Sequence, residues 1–129
     1  MKKNNAEHEF LGLLGRFFTE YLPVSMNASA HTVSSYKCAF RLLFQYLNEE
    51  TEIDARHITF DILNFDLLTG FFDWLVNSRK NSRTTAKQRM GALSSFAEYA
   101  QCRNFEAGCV FRSSLARISK KSFRRVKGK

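Results

Sequence analysis

Apolar residues recur at steps of three and four along four stretches of the chain, which is the period of an amphipathic α-helix. These stretches cover residues 7–22, 30–48, 65–77 and 81–100, and a weaker repeat predicts a short fifth helix at 110–117. An acidic stretch, residues 49–63, connects the second and third helices, and a short extended piece or turn is expected near 58–60. The pattern predicts an all-α fold, a compact bundle of four to five helices over residues 8–118.

Proline and serine residues predict where three of these helices begin or end. Pro23 is expected to end the first helix, because its ring does not continue the helical hydrogen bonds. Ser29 and Ser82 are expected N-caps of the second and fourth helices, since a serine hydroxyl can accept a free backbone N–H of the first turn. The residues that this spacing predicts to be buried are Phe40, Leu43, Leu47, Phe71, Trp74, Leu75, Met90, Leu93 and Phe96.

The second and fourth helices carry similar polar faces opposite their apolar stripes. On the second helix the face consists of Ser34, Lys37, Cys38, Arg41 and Gln45. On the fourth helix it consists of Thr84, Lys87, Gln88, Gly91, Ala92 and Ser95, with no acid before Glu98. An ordinary solvated face explains either helix alone, whereas short and basic residues on both also suit the approach of a phosphate backbone.

Charge is distributed unevenly along the 129 residues, which carry a formal net charge of +8. Residues 1–65 hold six Lys/Arg and eight Asp/Glu, a net of −2, and residues 66–129 hold fourteen and four, a net of +10. Such a basic half favours a polyanionic partner, and nucleic acid is favoured over a membrane because no basic helix with an exposed apolar face is evident. The alternative is that the charge only keeps the protein soluble.

Other features of the composition argue against several classes of protein. Cys38, Cys102 and Cys109 have no C-x-x-C spacing and the three histidines are isolated from them, so neither a metal nor another cofactor is expected. The first apolar run is interrupted by charged residues, which argues against a signal peptide, and no run is long enough for a membrane span. These features predict a cytoplasmic protein with reduced thiols.

Two stretches together resemble the core-binding domain of phage-integrase-type tyrosine recombinases. The family pattern is S-x-x-T-x-x-x-Y before an apolar helix, then F-x-x-W-L, a basic turn, S-x-x-T-x-x-x-R-L and finally S-F-x-x-Y-A. The matching positions here are Ser29, Thr32, Tyr36, Phe71, Trp74, Leu75, Ser82, Thr85, Arg89, Met90 in place of leucine, Ser95, Phe96, Tyr99 and Ala100.

The resemblance implies a SAM-like helical bundle that sits on one face of a recombination site, with two helices meeting the major groove. Residues 1–7 are expected to be a disordered start, and the basic composition of residues 119–129 predicts a flexible arm. The resemblance implies that residues 8–118 are the DNA-binding domain and that residues 119–129 are a basic linker. The linker would lead to a catalytic domain, and double-stranded DNA, that domain and other recombinase protomers would be the partners. Because His-x-x-Arg is absent and Tyr21, Tyr36, Tyr46 and Tyr99 all lie in predicted helices, this chain is not expected to be an enzyme by itself.

The residues predicted to contact DNA combine the two polar faces, the basic turn and the basic end of the chain. For Thr32, Thr85 and Arg89 a capping or core-edge role is as strong an explanation as contact with DNA. A different class of function, a helical module that binds an acidic protein, stays open, whereas a free-standing enzyme lacks a catalytic constellation. The complete predicted set is Thr32, Ser34, Lys37, Arg41, Arg79, Lys80, Ser82, Thr84, Thr85, Lys87, Gln88, Arg89, Ser95, Lys120, Lys121, Arg124 and Arg125.

Overall fold

Helices make up most of the protein, as the computed structural model shows for the backbone of residues 2–127 and the side chains of residues 9–118. No strand occurs within residues 2–127, which confirms the all-α prediction. Two short 3-10 turns, Ala55–His57 and Phe60–Ile62, lie in the acidic connection. The longer elements are α1 (Lys2–Arg16), a π-helical segment (Phe17–Ser25), α2 (Ala30–Glu50), α3 (Phe65–Asn77), α4 (Arg83–Arg103) and α5 (Phe105–Lys127).

The chain divides into two compact units, Met1–Phe60 and Asp61–Lys129. The first unit contains α1, the π-helical segment and α2, and the second contains α3, α4 and α5. Each unit joins helices that follow one another in the sequence, because short connections place consecutive helices side by side.

The first helix does not end at Pro23, contrary to the prediction from sequence. The structure instead continues α1 into the π-helical segment, with Pro23 inside it and the Met26 N–H donating to the Tyr21 carbonyl over 2.8 Å. In an α-helix the proline ring meets the carbonyl four residues earlier, and a wider turn relieves that clash. The start also differs, since α1 begins at Lys2 inside the predicted disordered residues 1–7, and no proline or glycine precedes Gly12 to interrupt the helix.

Aromatic packing holds the first unit together. The Phe10 ring packs against Phe60 with centroids 4.8 Å apart, and Phe18 meets Phe40 edge-on at 5.8 Å. At the end of α2 the Asn48 side chain accepts the Ala55 N–H over 3.0 Å and anchors the acidic connection. The predicted core residues of this unit, Phe40, Leu43 and Leu47, are all buried.

In the acidic connection, Asp54 caps the first 3-10 turn by accepting the Arg56 N–H over 2.9 Å. The Arg56 guanidinium also donates to both carboxylate oxygens of Asp54. Side-chain and backbone hydrogen bonds from Arg56 hold the pKa of Asp54 at about 2, below its usual value.

The second unit begins with α3, whose bounds Phe65–Asn77 agree with the predicted 65–77. Asn64 caps α3 by accepting the Leu67 N–H over 2.9 Å. The predicted core residues of this unit, Phe71, Trp74, Leu75, Met90, Leu93 and Phe96, are all buried, and Phe111 of α5 meets Phe96 at 6.4 Å.

The last helix, α5, is much longer than the predicted 110–117, because it begins at Phe105 and continues to Lys127. Its backbone therefore stays helical through most of residues 119–129, for which the composition predicts a flexible arm. That prediction rests on the lack of apolar side chains to offset ordering entropy, but lysine and arginine are good helix formers and no proline stops the helix.

Candidate nucleic-acid interface

The S-x-x-T pattern forms the same N-cap at the start of α2 and of α4. At α2 the Thr32 N–H donates to Ser29 Oγ, and the Ser29 hydroxyl donates to Thr32 Oγ1, each over 3.1 Å. Ser82 and Thr85 make the same two bonds at 3.1 Å at the start of α4. Both predicted caps are thus confirmed, and each threonine hydroxyl keeps its own proton for an outside acceptor.

The polar face of α2 lies at the surface of the first unit. Ser34, Lys37 and Arg41 are exposed, whereas Cys38 and Gln45 are half-buried. Neither cationic head has an acidic neighbour on its own face, because the first turn of α2 has no acid and the helix acquires glutamates only at its end. Lys37 and Arg41 therefore form one exposed basic strip, one helical turn apart.

The turn between α3 and α4 presents two further cations at the surface of the second unit. The Arg79 guanidinium lies 5.8 Å from the centroid of the Trp74 ring, which fixes the cation close to the end of α3. Lys80 adopts a left-handed backbone with φ 60°, and the Asn81 N–H closes the turn by donating to the Leu75 carbonyl over 2.9 Å. The left-handed residue reverses the chain just before the Ser82 cap.

The polar face of α4 is exposed at four of its predicted positions, Thr84, Lys87, Gln88 and Gly91. Ser95 is half-buried, and Lys87 also lines a cleft of about 140 Å³ with apolar side chains of α3, α4 and α5. Ala92 is 2% exposed, so its placement on this face is wrong. Its angle on the helix lies at the edge of the polar arc, and a methyl group is small enough to be covered by neighbouring helices.

Arg89 occupies the edge of α4 between the buried stripe and the polar face. The side chain is half-buried, and its Nε atom is buried without a hydrogen-bond partner among the described residues. Burying such a donor costs free energy unless an acceptor compensates it.

Arg83 is a basic residue of this region that the pattern of polar faces misses. It is the first residue of α4 and is exposed, directly after the Ser82 cap. Its position as the third cation after Arg79 and Lys80 is the signal that identifies it. The side chains of Lys120, Lys121, Arg124 and Arg125 lie outside the described residues.

These residues form two groups, one in each unit. The first unit brings together Thr32, Ser34, Lys37 and Arg41, and the second brings together Arg79 through Arg89.

The described residues show neither a metal site nor a membrane span. Among their side chains no group of histidine, cysteine and acidic residues has the arrangement of a metal site. None of the described helices combines the length and the apolar character that crossing a membrane requires.

Comparison with known proteins identifies the family. The sequence model of the phage integrase SAM-like domain matches residues 13–105. The chain belongs to the phage integrase SAM-like domain family. This match covers both N-caps, both polar faces and the basic turn, and it confirms the family resemblance that the sequence motifs indicate.

Two relatives of this SAM-like domain come from Sinorhizobium fredii and are named as integrase/recombinase proteins. One, y4rC, is 32% identical over 88 residues, which are 68% of this chain and 26% of the relative. The other, y4rD, is 30% identical over 92 residues, which are 70% of this chain and 33% of the relative. The chain therefore spans a third or less of the length of these relatives, and no solved structure matches it significantly.

Proposed function

We propose that this integrase SAM-like domain binds double-stranded DNA as the core-binding domain of a site-specific recombinase. The observation that carries the proposal is the cluster of exposed cations around the start of α4. Between Asp73 and Glu98 the chain has five Lys/Arg and no acid, and Arg79, Lys80, Arg83 and Lys87 are exposed. Four exposed cations within a stretch of sequence that contains no acid suit a phosphate backbone.

The N-terminus of α4 adds donors to this basic surface. The Ser82 cap engages one backbone N–H, and the Thr85 hydroxyl keeps a proton that a phosphate oxygen could accept. The exposed Thr84 and Gln88 lie on the same face and offer a further hydroxyl and an amide. In this arrangement cations capture the duplex electrostatically, and the neutral donors set its position.

The strip on α2 supplies a second contact of the same kind. Lys37 and Arg41 are exposed one turn apart. The Thr32 hydroxyl accepts from the Ser29 hydroxyl, as Thr85 accepts from Ser82, and so it also keeps a proton to donate. Phosphate contacts from both helices would give affinity with little sequence preference, while Gln88 and Arg41 have the side chains that can also bind base edges.

Strand cleavage would come from another part of the recombinase. Tyr99 is 3% exposed with the Arg103 guanidinium 4.6 Å from its ring centroid, and Tyr21, Tyr36 and Tyr46 are half-buried. A nucleophile that attacks a phosphodiester must reach the DNA, and these rings are engaged in the packing of their own units. The domain would thus hold DNA for a catalytic domain and for other protomers.

Titration of a labelled DNA duplex with the 129-residue chain at several salt concentrations tests this function. We expect a dissociation constant of about 1–100 μM near physiological salt, with affinity that falls steeply as salt rises. A single-stranded oligonucleotide of the same composition is the comparison. Absence of duplex binding even at low salt, or binding that does not depend on salt, would exclude the proposal.

A further inference from the structure

An open apolar groove runs along the first unit, with α2 on one side and α1 continued by the start of the π-helical segment on the other. Its apolar walls come from Leu11, Leu14 and Phe18 on one side and from Phe40 and Phe44 on the other, and its volume is about 420 Å³. Leu11 is 37% exposed, and Phe18 and Phe44 are half-buried. The exposed parts of Leu11, Phe18 and Phe44 leave an apolar strip that a further apolar side chain could cover.

The spacing of the walls indicates the shape of that partner. The lining positions are 11, 14, 15 and 18 on one side and 37, 40, 41 and 44 on the other, so both follow the i, i+3, i+4, i+7 pattern of one helix face. Two helix faces arranged in this way form a furrow about two turns long, roughly 10 Å, into which a third helix can lay its side chains. The groove is too open to enclose a small molecule, whereas an amphipathic helix covers it from one side.

The charge of the groove indicates the chemistry of that helix. Lys37 and Arg41 belong to the lining and are exposed, and among the described side chains, residues 9–118, no acid lines the groove. A helix with leucine-like residues on one face and carboxylates beside them would match the apolar walls and the two cations together. A basic helix of the same shape would be repelled by the same two side chains.

We propose that the groove between α1 and α2 is a docking site for an acidic amphipathic helix of another protein. Docking would use the apolar side chains for affinity and Lys37 and Arg41 for selection by charge. Because these two cations also belong to the proposed DNA-binding strip, a docked helix and a duplex would exclude each other. This exclusion rests on the proposed function, whereas docking itself is measured without DNA.

Two glycines of α1 make a matched pair of variants. Gly15 lines the groove and Gly12 does not, and a Cβ at either position meets no atom within 4 Å. Gly15→Leu should therefore fill the groove without disturbing the fold, and Gly12→Leu should add the same side chain elsewhere on the helix. Circular dichroism and thermal unfolding should show both variants folded and at least as stable as the parent, since leucine favours helix more than glycine does.

The probe is a fluorescein-labelled synthetic helix of about 18 residues, with leucines at i, i+3, i+4 and i+7 and glutamates elsewhere. We expect it to bind the chain, and Gly15→Leu to weaken binding about ten-fold or more while Gly12→Leu changes it less than about two-fold. A peptide with lysines in place of the glutamates should bind at least about ten-fold more weakly. Adding duplex DNA should displace the acidic peptide if the proposed function also holds.

Three results would overturn the docking proposal. One is equal binding of the acidic and basic peptides, and another is equal binding by the two leucine variants. The third is a dimer of the chain in sedimentation that Gly15→Leu converts to monomer while the peptide fails to bind, which would assign the groove to a second copy. Failure of DNA alone to displace a bound peptide would count against the proposed function and leave docking supported.

Discussion

Gly108 lets α5 pack directly against the backbone of α4. A Cβ built at this position would overlap the backbone N and Cα of Gln101, and those atoms belong to a helix and do not rotate away. Gly108→Ala should therefore lower the free energy of unfolding by about 2–3 kcal/mol, because α4 and α5 must separate to admit the methyl group. Urea denaturation followed by circular dichroism measures this loss.

Gly91 provides the matched control for that substitution. It lies inside α4, is exposed, and a Cβ there meets no atom within 4 Å. Gly91→Ala should raise the free energy of unfolding by up to about 1 kcal/mol through helix propensity alone. Equal effects of the two alanines would mean that α4 and α5 do not approach closely at Gly108.

Lys80 combines a backbone requirement with a charge that the proposed function uses. Its φ of 60° is a conformation that favours glycine, so Lys80→Gly should leave stability unchanged or raise it by about 0.5–1 kcal/mol. Lys80→Val should instead destabilise the fold by about 1 kcal/mol or more, since a β-branched residue is strained there. Thermal unfolding checks both values, and a glycine variant less stable than the valine variant would contradict the left-handed turn.

The role of a single residue can be predicted from sequence where it depends only on backbone groups a few positions away. The Ser29 and Ser82 caps depend on a hydroxyl three positions before a free N–H, which the sequence states directly. Ala92 and the left-handed Lys80 could not be predicted in the same way. The burial of Ala92 depends on neighbouring helices, and Lys80 takes its conformation from the closure of the turn.

At the scale of the helices, two variants of the Ser82 cap distinguish an effect on stability from an effect on DNA binding. Ser82→Ala should cost about 1 kcal/mol of unfolding free energy, because the Thr85 N–H loses its acceptor. Ser82→Asp should keep stability, since aspartate also caps and suits the helix dipole, yet it places a negative charge in the proposed phosphate site. Thermal unfolding and duplex titration of both variants distinguish the effects. Undiminished duplex binding by Ser82→Asp would remove the start of α4 from the interface.

Helix boundaries could be predicted from sequence only where a cap or a basic turn marks them. The start of α2, the start of α4 and both ends of α3 follow such signals. Pro23 misleads because the clash that ends an α-helix is relieved by a wider π-helical turn. The length of α5 could not be predicted either, because a basic composition argues against packing but not against helix formation.

At the scale of the whole molecule, each compact unit carries one part of the proposed interface. The first unit presents Lys37 and Arg41 beside an apolar groove, and the second presents the cations around the start of α4. The charge imbalance between the two halves of the sequence predicts the second of these surfaces. The groove was not predictable, because it depends on how α1 and α2 leave their flanking apolar residues uncovered.

The most direct test of the account is duplex titration of Arg41→Ala and Lys87→Ala against Arg16→Ala, a matched loss of one exposed charge at the end of α1. Arg41→Ala and Lys87→Ala should each weaken binding by about 1 kcal/mol and lower the salt slope by about one contact, with no change in thermal stability. Arg16→Ala should change neither the binding free energy nor the salt slope. Equal losses for all three variants would reduce binding to bulk charge and contradict an interface formed by the faces of α2 and α4.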